Sequence, residues 1–339
     1  MHSGVVIALE LFLMSTFRAT ARACSNIALV KYWGNRDEAL RLPANPSVSF
    51  NLRELFTTTA IEFDPALQHD LVCIDGMRAS ADAHRRVGVF LDLVRNDDKS
   101  TNNRTMFASV VSHNNFPMGT GIASSASAFA ALGVAACEAL HLHKTEAGLS
   151  ALARHGSGSA SRSIPGGFVA WRDEAATSIA PAEHWPLVDV IGIVSAREKR
   201  TGSTEGHALA PSSPLQAARV ADAPRRFANC LAAIAQRDFA ALADVIEQDA
   251  LMMHSVMMTS VPPLLYLLPA SLAIIHEVQA MRARGTPVAF TIDAGPNIHC
   301  ICELRAASAV AHALGEIAGV ERVLNSGVGG AASVIACSD

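Results

Sequence analysis

What the sequence has little of narrows the field first. Aromatic residues make up only 5% of the 339 residues, too few for a platform on which successive bases stack. Basic charge is not in excess, because 27 Lys and Arg against 31 Asp and Glu leave a net charge of −4. That balance excludes the broad electropositive face of a nucleic-acid-binding protein. An anionic substrate would have to be met by a local basic cluster. The seven cysteines are scattered and form no CxxC pair, which suits buried thiols in a reducing cytoplasm better than a disulfide framework. His299-Cys300-Ile301-Cys302 has no companion ligand pair at a recognisable spacing. Alternation along a strand puts Cys300 and Cys302 on one face, so core packing is expected there rather than a metal. Long uninterrupted apolar runs are also lacking. Val5 to Met14 is broken by Glu10 and has no preceding Lys or Arg. Residues 1–16 therefore read as a non-targeting extension, with Met14 as an alternative start, and no membrane span is expected.

What is present is a large apolar fraction, 50% of the chain, with 17% charged residues and no low-complexity tract. That composition builds a substantial core, and the length suits two intimately packed domains. The patterning mixes strands and helices without strict βαβ alternation, so an α+β fold is expected over a doubly wound sheet. Strands are expected over 17–30 (broken near Cys24-Ser25), after Leu42, and over 57–63, 69–74 and 106–111. Further strands are expected from Phe168, over 188–195, 286–292 and 298–303, and at the end over 320–325 and 332–337. Helical spacing covers 81–96, 126–141, 144–155 with Thr145 as its cap, 214–236, 238–256, 263–284 and 306–317. The expected domain boundary lies near 185–200, giving 17–190 and 191–339.

The chain is organised around PMGTGIASSASAFAAL, Pro117 to Leu132. Pro117, Gly119 and Gly121 permit a backbone path that bulkier residues obstruct, and an Ala-rich helix follows. A glycine loop feeding a helix start offers free N–H groups and the positive end of the helix dipole to an anion. No Lys follows the last Gly, so this is not a Walker loop. Four other stretches carry reactive residue types among small neighbours: NIALVKYWGNRD with Lys31, GSGSASRS with Ser159 and Arg162, TGSTEGH with Ser203 and Thr204, and TIDAGPNIH with Asp293. Taken singly, each is open to a plain reading as a solvated lysine, a helix cap or a turn.

Together, and in this order, these blocks resemble the diphosphomevalonate decarboxylases of the GHMP kinase superfamily. The resemblance is dense in NIALVKYWGNRD, LPANPSVSFNL, NNFPMGTGIASSASAFAAL, ARHGSGSASRSIPGGFVAW and FTIDAGPN, and thin over 60–105 and 208–285. It implies a ribosomal-protein-S5-like αβ half that binds ATP, followed by a ferredoxin-like αβ half, and a cytoplasmic homodimer. It also implies ATP-dependent phosphorylation of the 3-hydroxyl of mevalonate 5-diphosphate, followed by loss of phosphate and CO2. Asp293 falls at the family's base, Lys31 at the cation beside it, and Arg162 at the partner of the substrate carboxylate, where a planar fork suits better than a point charge. Tyr32, Asn35, Ser159, Ser203 and Thr204 fall at substrate contacts. Pro117, Gly119, Gly121, Ala123, Ser124 and Ser125 fall at the nucleotide, with Ser124 and Ser125 as candidate Mg²⁺ ligands.

Three departures from the common family pattern stand out. Asn35 replaces the second Lys of KYWGK, Ser161 stands where many members have Cys, and TGSTEGH replaces Ser-Ser-x-x-Gly-Met. The last brings Glu205 and His207 toward the expected phosphate site. A lost cation and an added carboxylate fit a less charged tail, so the same chemistry on mevalonate 5-phosphate is the rival expectation. A GHMP kinase that does not decarboxylate and a non-catalytic ligand-sensing member are the further alternatives.

Overall fold

The computed structural model describes residues 17–97, 106–116, 124–197 and 201–337. Within the first half run β1 (Arg18–Val30), β2 (Asn35–Asp37), β3 (Leu42–Pro43), β4 (Ser47–Asp64), β5 (Leu71–Ile74) and β6 (Met77–Arg78), then helix α1 (Ala81–Asp97) and β7 (Phe107–Asn114). Helices α2 (Ser124–Ala139) and α3 (Glu146–Gly156), a 3-10 turn at Gly158–Ser163, and strands β8 (Phe168–Trp171) and β9 (Ala176–Ala180) follow. The second half holds β10 (Leu187–Ile193), α4 (Ser203–Leu209), α5 (Gln216–Gln236), α6 (Phe239–Met258) and α7 (Pro269–Ala283). It continues with β11 (Val288–Ile292), β12 (Ile298–Glu303), α8 (Ala307–Gly315), β13 (Arg322–Gly327) and β14 (Ser333–Cys337).

The first sheet runs β14-β1-β4-β7-β5-β6, with β8 and β9 added along the near end of β4. Its backbone is the long β4, which pairs with β1 throughout, with β8 over Ser47–Phe50 and with β7 over Thr57–Asp64. Two separate strands were expected here, and the structure joins them. Arg53, Glu54 and Leu55 form extra length on β4 between the pairs Ser25↔Leu52 and Cys24↔Phe56. This bulge interrupts the apolar alternation without ending the strand, and it lies opposite the break expected at Cys24-Ser25. The apolar helix α2 packs on β1 and β4, where Phe90, Phe129, Ala131, Ile61 and Val110 belong to one buried cluster. Thr145 caps α3 by accepting from the Gly148 N–H at 3.1 Å.

The second sheet is antiparallel, in the order β11-β12-β10-β13. Numbered within this half and read from β13, the order is 4-1-3-2, the arrangement of a split βαββαβ unit. The expected division at 190/191 falls inside β10, which pairs with β12 and β13 along its length from Leu187. The last strand, β14, leaves this half to pair with β1 in the first sheet. Helix α7 begins at Pro269 rather than 263, because the chain from Ser260 through Leu268 lacks helical structure. A shared core joins the halves, with Ile27, Leu29 and Phe50 from one side and Ile191, Phe227, Ala289 and Ile301 from the other. Cys300 and Cys302 both lie in the apolar core of the second sheet. Among the described residues, no cluster of His, Cys, Asp or Glu could hold a metal ion, and no helix is long and apolar enough to cross a membrane.

Candidate active site

Lys31 is the first residue beyond β1, and Asp293 the first beyond β11. The shared core brings the two strand ends together, and Lys31 Nζ donates to Asp293 Oδ1 at 2.6 Å. The lysine side chain is 1% exposed, whereas the carboxylate keeps 21% open. Burial on its own raises the Asp293 pKa, but the charges of Lys31, His299 and Arg162 and the hydrogen bond from Lys31 hold it below the usual carboxylate range. The group is therefore ionised at neutral pH and able to accept a proton.

Arg162 lies next to the end of the 3-10 turn and is buried. Its Nε and Nη2 donate to Asn26 Oδ1 at 3.3 and 3.2 Å, its Nη1 donates to Ser47 Oγ at 2.9 Å, and its guanidinium lies over Trp171 at 5.8 Å. These bonds engage three of the five N–H donors of a guanidinium and fix the plane of the fork. Burial pulls the pKa of Arg162 down to about 10, opposed by Asp293, so it stays a cation at neutral pH. Asn26 also donates to Ser163 Oγ at 2.8 Å and to the Ser159 carbonyl at 3.2 Å. Neither Asn26 nor Ser47 was assigned a role from sequence, although both lie inside the blocks quoted above. Ser159 is half-buried, and its hydroxyl stands 3.3 Å from that of Ser157, which is 3.2 Å from Ser125 Oγ on the first turn of α2. The serine run and the helix that follows the glycine loop thus face each other. Ser124 opens α2. Pro117, Gly119, Gly121 and Ala123 lie outside the described residues.

Tyr32 is nearly buried against Trp171, edge on at 4.8 Å. Gly158 passes so close to it that an added Cβ would stand 2.5 Å from the phenol oxygen, so a larger residue in that turn would have to displace the ring. Asn35 is half-buried and engages its side chain at both ends. Its side-chain oxygen accepts from the Tyr32 hydroxyl, and its Nδ2 donates to Glu38 Oε2 at 2.9 Å. His207 packs on the aromatic side chains of the same segment. It lies 4.1 Å from Tyr32 and 4.6 Å from Trp33, ring to ring, and its Nδ1 accepts from the Gly34 N–H at 2.9 Å. Gly34 holds a φ of +87° that favours glycine. His207 therefore ties α4 to the KYWGN segment. Ser203, Thr204 and Glu205 at the start of α4 are exposed.

A helix-backed sheet holding a serine-opened helix, closed against a ferredoxin-like half by a Lys–Asp pair, is the architecture of the GHMP-kinase class of αβ proteins. Two family models cover most of the chain. Residues 23–180 match the diphosphomevalonate decarboxylase-like N-terminal domain, and residues 189–332 match the mevalonate 5-diphosphate decarboxylase C-terminal domain. Diphosphomevalonate decarboxylase of Candida albicans is 38% identical over 300 residues, covering 83% of each chain. The solved structure of MDDEF in complex with MVAPP, AMPPCP and magnesium superposes with a TM-score of 0.87 at 34% identity, covering 94% of this chain and 98% of that one. A structure of mevalonate diphosphate decarboxylase from Enterococcus faecalis gives a TM-score of 0.85 at 33% identity, with the same coverage. The chain belongs to the diphosphomevalonate decarboxylase family.

Proposed function

We infer that this protein is an ATP-dependent decarboxylase of mevalonate 5-diphosphate, releasing isopentenyl diphosphate, ADP, phosphate and CO2. Supporting the reading are relatives named for this activity and a neighbour solved with MVAPP, AMPPCP and magnesium. The observation that carries it is the buried Lys31–Asp293 contact at 2.6 Å, with the fixed fork of Arg162 close enough to act on Asp293 electrostatically. In this scheme Asp293 takes the proton of the substrate's 3-hydroxyl as that oxygen attacks the terminal phosphorus of ATP. Lys31 keeps the carboxylate ionised and oriented. Arg162 turns the free edge of its fork to the substrate carboxylate. When the C–C bond to that carboxylate breaks, its electron pair forms the new double bond and the 3-phosphate departs.

In this reading the half built on the first sheet, roughly 17–190, binds ATP, and residues 191–339 close over the substrate. Ser124 and Ser125 serve the nucleotide, as do Pro117, Gly119, Gly121 and Ala123 by their place in the family pattern, with Ser159, Ser203, Thr204 and Tyr32 assigned to the substrate tail. Hydroxyl donors beside triphosphate oxygens suit Mg²⁺, which takes most of its ligands from phosphate and water. Bound there, the ion would neutralise charge on the phosphates. A cytoplasmic homodimer is the family expectation that we extend to this chain, and free, scattered cysteines fit a reducing compartment. Light scattering of the purified chain tests the dimer.

One observation favours the rival tail. Asn35 supplies no charge, is already committed to Tyr32 and Glu38, and so brings a carboxylate rather than an ammonium to the neighbourhood. A coupled assay of ADP and CO2 release with mevalonate, its 5-phosphate and its 5-diphosphate decides. The highest kcat/KM with the 5-diphosphate is expected. A clear preference for the 5-phosphate would move the chain to the sister activity, and ADP without CO2 would make it a kinase.

A further inference from the structure

Both members of the reacting pair sit one residue past a strand end, where the sheet ladder no longer holds the main chain. Something else must fix them. The Lys31 N–H donates to Asp249 Oδ2 at 2.6 Å. The Lys31 carbonyl accepts from Arg219 Nη2 at 2.8 Å and from Asn45 Nδ2 at 2.9 Å. The Asp293 carbonyl accepts from the Gly295 N–H at 2.7 Å within its own turn and lies 3.1 Å from His254 Nε2; a carbonyl can only accept, so that nitrogen carries the proton. Asp249 and His254 are both buried and both on α6. Five residues apart, they are separated by about 7.5 Å along the helix, so one rigid rod spans both strand ends.

We propose that α6 is the positioning element of the active site, with Asp249 clamping the main chain of Lys31 and His254 that of Asp293. The inference rests on the functional reading above for its kinetic arm only. Asp249 is itself locked, accepting from Arg226 Nε at 2.7 Å with Arg219 Nη2 3.9 Å away. His254 is a neutral donor, because burial pushes its pKa down to about 4. Its replacement therefore removes a hydrogen bond without disturbing a buried charge, whereas loss of Asp249 leaves two buried guanidinium groups short of a counter-charge. His254 is the position to test. A displacement of about 1 Å at a reacting group can lower turnover about 100-fold, which is how a residue that never meets substrate can govern rate.

The test uses the full chain with His254→Leu and His254→Gln, the second keeping an N–H donor. Expected for His254→Leu is a fall in kcat of about 10-fold or more, with KM for ATP within about twofold of wild type. His254→Gln should recover kcat to within about threefold of wild type. A folded His254→Leu with full kcat overturns the clamp, and so does equal impairment of both variants. Should His254→Leu fail to fold, His254→Gln still decides, since a well-folded but slow enzyme counts against the donor. An activity-independent arm reads the tautomer by ¹⁵N NMR of labelled histidines in the wild-type chain. The clamp requires a neutral His254 with its proton on Nε2 at pH 7, and the opposite tautomer or an imidazolium would overturn it. A wild-type chain that releases no CO2 from mevalonate 5-diphosphate overturns the functional reading alone, and the tautomer still judges the clamp.

Discussion

Around the Lys31–Asp293 pair, main chain and side chains are gripped by groups that water scarcely reaches. Lys31, Asp249, Arg219 and His254 are each at most 1% exposed. Around Asn35 the chain is more open: its partner Glu38 is exposed, and so are Ser203, Thr204 and Glu205 at the start of α4. Buried ions cannot be rearranged without leaving a neighbour uncompensated. Exposed polar contacts are individually weak and can be exchanged one at a time. The surroundings of Lys31 and Asp293 are thus fixed collectively, while those of Asn35 are open to single substitutions.

The sharpest way to break this contrast is Asp293→Asn, which keeps size and loses the base. Turnover should fall by at least about 10³-fold with nucleotide affinity nearly unchanged, as read by steady-state kinetics and nucleotide titration. Retention of more than about a tenth of the wild-type rate would reduce Asp293 to a turn residue. The charge of Lys31 keeps Asp293 ionised, so protonation of this group should not limit kcat/KM until pH falls below the ordinary carboxylate range.

Arg162→Lys comes next. The charge survives, but a lysine cannot reproduce the three bonds to Asn26 and Ser47 or present a planar fork. A loss of about 100-fold in kcat is expected, with less CO2 per ADP if phosphorylation outruns decarboxylation. Unaltered kinetics would put Arg162 outside the substrate site. The smallest effect belongs to the more open surroundings of Asn35. Asn35→Lys restores a cation beside Glu38 and should move the ratio of kcat/KM toward the 5-diphosphate over the 5-phosphate by about 10-fold, or about 1.4 kcal/mol. The same ratio before and after the change would falsify a tail-reading role for Asn35.

The contrast also explains how much was legible in the sequence. Lys31, Arg162 and Asp293 stand in dense local blocks, and short-range signals such as the Thr145 cap and the break at Cys24-Ser25 reappear in the structure. β4 was read as two strands because Arg53 and Glu54 are consecutive exposed residues, and no local pattern distinguishes a bulge from a turn. Asp249 and His254 were missed for a different reason. They lie in the thinly matched stretch 208–285, and their partners are main-chain atoms 218 and 39 residues away. A buried Asp or His on an apolar helix carries no sign of what it holds. Asn35 and His207 were legible as departures from the family pattern, but spacing says nothing about which neighbour takes up a hydrogen bond.

The pairing of β14 with β1 has a consequence for how the molecule is made. During synthesis β1 can find β4 early, but its other edge must wait for a strand that emerges some 300 residues later. Until then the first sheet carries an exposed edge, the kind of surface that recruits stray strands. The half that meets the ribosome's exit first is therefore not finished first, and its closure falls due only when β14 itself has been translated.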